Sequence, residues 1–147
     1  MVGNPQEKQR FIQFAKDAGI LNRIEWLGWL DDPWEHLDSA SVLVLTSDFE
    51  GFGLVLVEAL CRGVPVVASN CPVGPSDIVQ NGKNGWLFNP GDVDELARIL
   101  KKISDGSMSL PSIEECVKSI QKFRNDNVIR NMIQVMEHYT IQLTSLL

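Results

Sequence analysis

The sequence predicts an α/β fold with a parallel, doubly wound (Rossmann-like) sheet. Short apolar runs at Ile24–Leu27, Val42–Leu45 and Val64–Ala68 alternate with segments of helical character, and such alternation favours parallel strands joined by helices. A loop containing glycine or serine follows each run. In sheets of this kind these loops lie at the carboxyl edge, where ligands bind.

The composition indicates one soluble domain over residues 1–147, with 44% hydrophobic and 22% charged residues. A formal net charge of −6 argues against nucleic acid as a partner. No apolar run approaches the roughly 18 residues of a membrane span. The three cysteines lack metal-like spacing, so we expect reduced thiols in a cytoplasmic protein, with Cys61 in the core.

Helix signals are clear in the first forty residues. Asn4 is expected to cap a helix that Gly19 ends, and Asp32 is expected to cap a short helix that reaches about Asp38. The apolar stripe of the first helix comprises Phe11, Phe14 and Ala15.

Glycine, proline and asparagine delimit the later elements. Asn and Gly in the turn at Asn81–Gly85 are expected to take positive φ. Residues 112–147 form a predicted helical segment, with two helices broken near Asn125. The other predicted elements are helices Gly53–Arg62, Pro75–Gln80 and Val93–Asp105, and strand Trp86–Phe88.

Both ends of the chain predict missing partners. The start, Met1–Asn4, resembles the end of a strand, so we expect a truncated chain. The last predicted helix has an apolar stripe that must pack on something: it packs on its own domain or, if part of the stripe is left exposed, self-association is predicted. That stripe comprises Met132, Val135, Met136, Tyr139 and Leu143.

The segment Ser47–Leu60 carries the most specific functional pattern. Glu50 and Glu58 stand eight positions apart, on either side of a glycine-bearing entry into a helix. A helix N-terminus presents unpaired N–H groups and a positive dipole end, which together favour an anion. This pattern suits a nucleotide-sugar, although the two glutamates taken alone would favour a solvated loop acid and an ordinary helix-surface acid.

Four motifs, in this order and spacing, resemble one enzyme family. They are EGFGLVLVEAL at 50–60, GVPVVAS at 63–69, GPSDIV at 74–79 and NGKNGWLFNPGD at 81–92. From residue 2 to about residue 105 the chain resembles the C-terminal half of retaining glycosyltransferases of family 4, which have the two-domain GT-B architecture. Segments 22–37 and 69–79 look most like the lipopolysaccharide 1,6-galactosyltransferase branch.

The resemblance implies a donor site for a uridine-diphosphate (UDP) sugar. Glu58 would hydrogen-bond the ribose hydroxyls, and Glu50 would act at the donor sugar as the catalytic residue. Loop N–H groups would meet the diphosphate. The remaining donor-binding residues would be Gly51, Phe52, Gly53, Leu54, Gly74 and Asp77. The resemblance also implies no metal and no cofactor besides the UDP-sugar substrate.

The intact enzyme would transfer galactose or glucose, with retention, to a glycan acceptor such as lipopolysaccharide, in the cytoplasm or on the inner membrane. The acceptor would bind through the missing N-terminal domain. The family's basic diphosphate clamp lies upstream and is absent here, and Asp77 replaces the usual glutamate. The chain alone is therefore expected to bind donor without transfer.

Several alternatives remain open at this stage. The chain could be an isolated nucleotide-binding module, or part of another GT-B enzyme such as a sugar-nucleotide epimerase or a phosphorylase. The loop Gly74–Asp77 either lies beside the donor sugar or only starts a helix. Trp26, Trp29 and Trp34 either pack against the domain or stack a base.

Overall fold

A computed structural model describes residues 5–124 and 126–134, which divide into two compact units after Glu35. In the first unit, helix α1 (Pro5–Asp17) is followed by a 3-10 turn at Leu21–Arg23. Ala15 is buried, whereas Phe11 and Phe14 are 61% and 71% exposed. The predicted helix is therefore present, but its phenylalanines do not enter a core.

The predicted strand Ile24–Leu27 is wrong. Ile24 has extended dihedral angles, with φ −115° and ψ 123°, yet the sheet of the described residues consists of three strands that all lie later in the chain. Ile24, Trp26 and Leu27 are also exposed. Ile24 adopts the backbone conformation of a strand, but a strand also needs a hydrogen-bonded neighbour.

Helix α2 (Trp34–Asp38) lies at the boundary between the units. Its predicted cap is present, because Asp32 Oδ1 accepts a hydrogen bond from the N–H of Trp34 at 3.1 Å. Of the three tryptophans near this boundary, Trp29 is strongly exposed, while Trp26 and Trp34 are exposed to a smaller extent.

The second unit contains the parallel sheet and confirms the predicted α/β class. Strands β1 (Leu43–Leu45), β2 (Val66–Ser69) and β3 (Gly85–Phe88) are parallel in the order β1-β2-β3. The helices are α3 (Leu54–Cys61), α4 (Pro75–Ile78), α5 (Val93–Ser104) and α6 (Ile113–Ser119), with a 3-10 turn at Gln121–Phe123. Residues 126–134 are also helical, so a break does precede this segment.

Strand β2 lies at the centre of the sheet and of the core. All four of its residues are buried, as expected for a parallel strand that is covered on both faces. Leu56, Leu60 and Ile78 are fully buried in the same core. The helices that follow β1 and β2 thus pack in the same core as the sheet. This packing fixes the positions of their first turns.

Helix α3 ends as the sequence predicts. Gly63 follows it with φ +78°, and a Cβ atom there would lie 2.5 Å from Cγ2 of Ile113. Arg62 forms a bidentate ion pair with Asp38. Cys61, which was expected in the core, is exposed, because it lies on the outward side of the last turn.

The turn at 81–85 differs from the expectation for its asparagines. Gly82 has φ +75°, but no residue other than glycine takes positive φ in the described ranges. Asn81 and Asn84 instead use their side chains: Asn81 Oδ1 accepts from the N–H of Leu87 at 2.8 Å, and Asn84 is fully buried. Their amides replace backbone hydrogen bonds that a turn leaves unmade.

The predicted C-terminal stripe is only partly within the described residues. Met132 is 60% exposed, whereas Val135, Met136, Tyr139 and Leu143 lie outside these residues. Self-association of the last helix therefore stays a prediction. Among the described helices, none combines the length and the apolar character that crossing a bilayer requires.

Candidate functional site

The site is built where strands β1 and β2 end. The two strands are neighbours and parallel, with Leu45 opposite Ala68, so the segments that follow them leave the same edge of the sheet. The first segment leads through residues 46–53 into α3, and the second leads through residues 70–74 into α4. The carboxyl edge of a parallel sheet is the usual place for a ligand.

A chain of hydrogen bonds connects the sheet to Glu50. The hydroxyl of Ser69, which is buried at the end of β2, donates to the backbone carbonyl of Ser47. The hydroxyl of Ser47 in turn donates to Oε1 of Glu50 at 2.6 Å. Glu50 is only partly buried. Its carboxylate is therefore held at this edge while remaining accessible to a ligand.

Helix α3 begins without a side-chain cap. Gly53, at the N-cap, has φ +87° and ψ 49° and makes no side-chain hydrogen bond to the helix. The N–H of Leu56 bonds to the carbonyl of Gly53 at 2.9 Å, whereas the N–H groups of Leu54 and Val55 precede the first intrahelical bond. Such N–H groups, at the positive end of the helix dipole, are suited to an anion.

The loops before α3 and α4 are in direct backbone contact. A Cβ atom on Gly74 would lie 2.3 Å from the carbonyl oxygen of Phe52, and Gly74 has φ +96°. On the other side of the loop, a Cβ atom on Gly53 would meet Cδ1 of Leu56 at 3.2 Å and Cδ1 of Ile78 at 3.9 Å. The structure therefore brings together Phe52, Gly53 and Gly74, three of the predicted donor-binding residues.

The other predicted site residues are exposed around this contact. Gly51 has open space around its Cβ position, and Leu54 is 65% exposed. Glu58, in the second turn of α3, and Asp77, in α4, are also exposed. The side chains of Glu58 and Asp77 make no hydrogen bond to Glu50 within the described ranges, so only their positions on α3 and α4 relate them to it.

Two residues at this edge were missed by the sequence analysis. Lys122 Nζ donates to the backbone carbonyl of Asp77 at 2.6 Å. The ring of Phe123 lies edge-to-face with the ring of Phe52, with centroids 5.4 Å apart and an interplanar angle of 82°. The contacts span 45 and 71 sequence positions, and no local pattern signals them.

Asn84 makes a second set of long-range contacts, which the turn motif at 81–85 does not predict. Its Oδ1 accepts from the N–H of Gln80 at 2.7 Å, and its Nδ2 donates to the carbonyl of Ile78 at 3.0 Å and to Ser119 Oγ at 2.8 Å. The end of α4 is thereby fastened to α6. A buried amide with every polar group bonded is a structural device, since an unpaired one would be costly.

An open cleft elsewhere in the second unit is lined by Gln80, Lys83, Glu115, Lys118 and Ser119. Two of its side chains, those of Glu115 and Ser119, are already hydrogen-bonded. The carboxylate of Glu115 accepts hydrogen bonds from the N–H and hydroxyl of Ser112, which hold its pKa below the ordinary value. Ser119 is bonded to Asn84 and to the carbonyl of Cys116. This cleft shares no residue with the predicted site.

The side chains at this edge of the sheet include carboxylates, hydroxyls and one cysteine. Within residues 5–124 and 126–134, no group of three His, Cys, Asp or Glu side chains is arranged to hold a metal ion. Cys71 lies at this edge but is buried, and its Sγ contacts the carbonyl of Val73 at 3.9 Å. The groups on offer are thus carboxylates, hydroxyls and backbone N–H groups, a set that binds sugars and phosphates.

Comparison with known proteins identifies the family. The model described as "Glycosyl transferases group 1" matches residues 1–127. The chain therefore belongs to the group 1 glycosyltransferase family.

Individual relatives agree with this assignment. The lipopolysaccharide 1,6-galactosyltransferase of Escherichia coli (strain K12) is 35% identical over 127 residues, which are 84% of this chain and 35% of that protein. The apo form of lipopolysaccharide outer core galactosyltransferase WaaB superposes with a TM-score of 0.82 at 28% identity, over 89% of this chain and 38% of that one.

A third relative was solved with a nucleotide-sugar. Anabaena Alr3699/HepE in complex with UDP-glucose has a TM-score of 0.75 at 30% identity, over 94% of this chain and 38% of that chain. The same protein was also solved in complex with UDP. These structural neighbours are GT-B glycosyltransferases, which confirms the predicted fold class. The chain spans 35% to 38% of the length of these three proteins.

Proposed function

We propose that this chain is the donor-binding domain of a family 4 retaining glycosyltransferase. The intact enzyme transfers a hexose, galactose or glucose, from a UDP-sugar to a glycan acceptor. The observation that carries the proposal is the uncapped start of α3 at the carboxyl edge of the sheet, with Glu50 tethered beside it through Ser47. The complexes of HepE with UDP and UDP-glucose support the donor class.

The diphosphate is assigned to the start of α3. The N–H groups of Phe52, Gly53 and Leu54 supply donors, and the helix dipole favours the negative charge that grows on the leaving diphosphate. Gly51, with open space around its Cβ position, allows close approach to the backbone, and Gly53 supplies the left-handed conformation at the entry to α3. The described segment supplies no side-chain cation in this loop, so binding here rests on backbone donors.

Glu58 is assigned to the ribose hydroxyls. It lies four positions after Leu54, and residues at this spacing share one face of a helix. Helical side chains tilt toward the N-terminus, so the carboxylate of Glu58 extends toward the exposed start of α3. A carboxylate that accepts from both hydroxyls of a ribose forms two charge-assisted hydrogen bonds.

Glu50 and Asp77 are assigned to the sugar end of the donor. Glu50 is the proposed catalytic residue, because a tethered carboxylate stabilises positive charge at the anomeric carbon or holds a sugar hydroxyl. Gly74 brings the second loop against Phe52 and so places α4, with Asp77, beside the first loop. The proposed reaction uses no metal ion and no cofactor besides the donor.

The names of the relatives support the acceptor that we propose. Lipopolysaccharide is the proposed acceptor, since the E. coli relative is a lipopolysaccharide 1,6-galactosyltransferase. The acceptor would bind through an N-terminal domain, in the cytoplasm or on the cytoplasmic face of the inner membrane.

The test is calorimetric titration of this chain with UDP and with UDP-glucose or UDP-galactose, with no metal added. We expect Glu58→Ala to weaken UDP binding by roughly 100-fold or more, the cost of losing two charge-assisted hydrogen bonds. Glu114→Ala is the matched control. Glu114 is also exposed and helical, but it follows Ile113, which contacts Gly63 at the opposite end of α3.

Each outcome is informative about the assignment. Equal UDP affinity in the wild type and in Glu58→Ala would contradict the role of Glu58. Interconversion of UDP-glucose and UDP-galactose would favour an epimerase. A full-length protein that binds donor but transfers no hexose to glycan acceptors would favour a non-catalytic module, and the anomeric configuration of any product, by NMR, tests retention.

A further inference from the structure

The 3-10 turn Gln121–Phe123 contacts both loops of the candidate site. Lys122 bonds to the carbonyl of Asp77, in α4, and Phe123 packs on Phe52, in the loop before α3. Lys122 Nζ also lies 4.8 Å from the centroid of the Phe123 ring. Two consecutive residues, far away in sequence, therefore reach the segments that follow two neighbouring strands.

The turn itself is held by the core. It follows α6 directly, and the last residues of α6 are fixed by buried Cys116 and Ile120 and by the bond between Asn84 and Ser119. Within the turn, the N–H of Phe123 bonds to the carbonyl of Ile120 at 2.9 Å. Lys122 and Phe123 are thus held in place by the core when they contact the two loops.

The two contacts differ in their relation to the core. Lys122 is exposed, so the free energy that its contact adds to folding is small in comparison with the burial of Leu56 or Ile78. Phe123 is partly buried and packs, like Phe52, against the core, so its substitution has a structural cost as well. Their partners, however, are the backbone of Asp77 and the ring of Phe52, and both partners belong to the proposed donor site. The contacts therefore have their largest effect on the orientation of Asp77 and Phe52.

We propose that Lys122 and Phe123 are positioning residues of the donor site. Lys122 fixes α4 and thereby directs Asp77 at the donor sugar, whereas Phe123 fixes Phe52 and thereby the loop N–H groups that meet the diphosphate. This inference rests on the proposed function. It assigns the two residues to different ends of the donor, so their effects on UDP and on UDP-glucose differ.

The experiment measures Kd for UDP and for UDP-glucose in Lys122→Met and Phe123→Leu. For Lys122→Met we expect UDP-glucose to bind roughly three- to tenfold more weakly, as for the loss of one hydrogen bond, with UDP affinity unchanged. For Phe123→Leu we expect both ligands to bind more weakly by a similar factor. Lys122→Arg, which keeps a charged donor, should restore most of the UDP-glucose affinity.

Lys101→Met is the control for lost charge, because Lys101 is an exposed lysine in α5. Thermal unfolding of every variant reports the structural cost separately, and Phe123→Met, which keeps a large apolar side chain but removes the ring, serves if Phe123→Leu does not fold. Wild-type affinities for both ligands in Lys122→Met and in the Phe123 variant would overturn the inference.

The same titrations separate this inference from the proposed function. If Glu58→Ala loses UDP while Lys122→Met and Phe123→Leu retain both ligands, the donor site stands and its positioning by the turn does not. If the wild-type chain binds neither ligand, the proposed function fails and this inference fails with it. An equal loss of UDP and UDP-glucose in Lys122→Met would overturn the assignment of Lys122 to the sugar end.

Discussion

Gly74 and the carbonyl of Phe52 lie so close that no Cβ atom fits between them; it would lie 2.3 Å from that oxygen. Two loops that leave different strands are thereby packed backbone to backbone. The φ of +96° and ψ of −67° at Gly74 also belong to a region that other residues rarely enter. Sterics and dihedral angles thus independently require glycine at this position.

We expect Gly74→Ala to lower the free energy of unfolding by roughly 2–4 kcal/mol, from backbone strain and the clash with Phe52. Gly91→Ala is the matched control, since Gly91 has φ +78° but nothing within 4 Å of its Cβ position. That variant should lose about 1 kcal/mol, from the dihedral angle alone. Urea unfolding measures both values. Equal losses in the two variants would show that the loop moves aside without cost.

Asn84→Ala should destabilise the chain by roughly 2–4 kcal/mol, because it leaves buried partners of Asn84 without hydrogen bonds. The carbonyl of Ile78 and the N–H of Gln80 would both lose their bond to Asn84. Asn70→Ala, at an exposed asparagine, is the control and should change the free energy of unfolding by less than about 0.5 kcal/mol. Equal denaturation midpoints for the two variants would contradict the role of Asn84.

Glu115 should make part of the stability depend on pH. Hydrogen bonds from the N–H and hydroxyl of Ser112 hold the pKa of Glu115 below its ordinary value in the folded state. The folded state thus favours the carboxylate, and its contribution is present above the unfolded pKa, roughly 4.3, and is lost as the pH falls through the folded pKa.

Glu115→Gln should therefore flatten the acid side of the stability profile. We expect the difference in denaturation midpoint between pH 7 and pH 3 to be smaller in Glu115→Gln than in the wild type. Glu114→Gln, on the neighbouring residue, should leave that difference unchanged. An unaltered acid dependence in Glu115→Gln would count against the hydrogen bonds between Ser112 and Glu115 as its source.

The three thiols should react at different rates. Cys61 is exposed, while Cys71 and Cys116 are buried, and burial raises the pKa of the Cys116 thiol, with a further contribution from the charge of Glu115. Since the thiolate is the reactive form, we expect one fast thiol with Ellman's reagent in the native state and three in denaturant. Cys61→Ser should abolish the fast phase, and a fast phase that persists would mean that a buried thiol is accessible.

Local signals in the sequence account for most of the secondary structure. Gly63 ends α3, Asp32 caps α2, and the apolar run at 64–68 becomes the buried strand β2, because each of these features is decided by residues close in the chain. The same rules predict a strand at Ile24–Leu27, and this prediction is wrong, since a strand also depends on a partner strand that the local sequence does not specify.

The candidate site was predictable only to the level of its loops. The spacing of Glu50 and Glu58 and the neighbouring glycines indicated two loops, the one before α3 and the one that contains Gly74. The contact between Phe52 and Gly74 shows that these two loops are adjacent. The tether from Ser69 through Ser47 to Glu50, and the contacts of Lys122 and Phe123, were not predictable. Apart from the bond between Ser47 and Glu50, these contacts join positions 22 to 71 residues apart, where neither periodicity nor turn chemistry gives a signal.

The contact between Gly74 and Phe52 also bears on how such a domain diversifies. Because main-chain atoms rather than side chains form the contact, amino-acid substitutions cannot change it in small steps. We therefore expect selection either to keep the contact or to lose it entirely. Variation that alters ligand preference must instead fall on the outward side chains around it. Phe49, Leu54 and Val73 are all exposed at this edge, and they are the positions at which we expect sequences of this family to explore new specificities while the frame stays fixed.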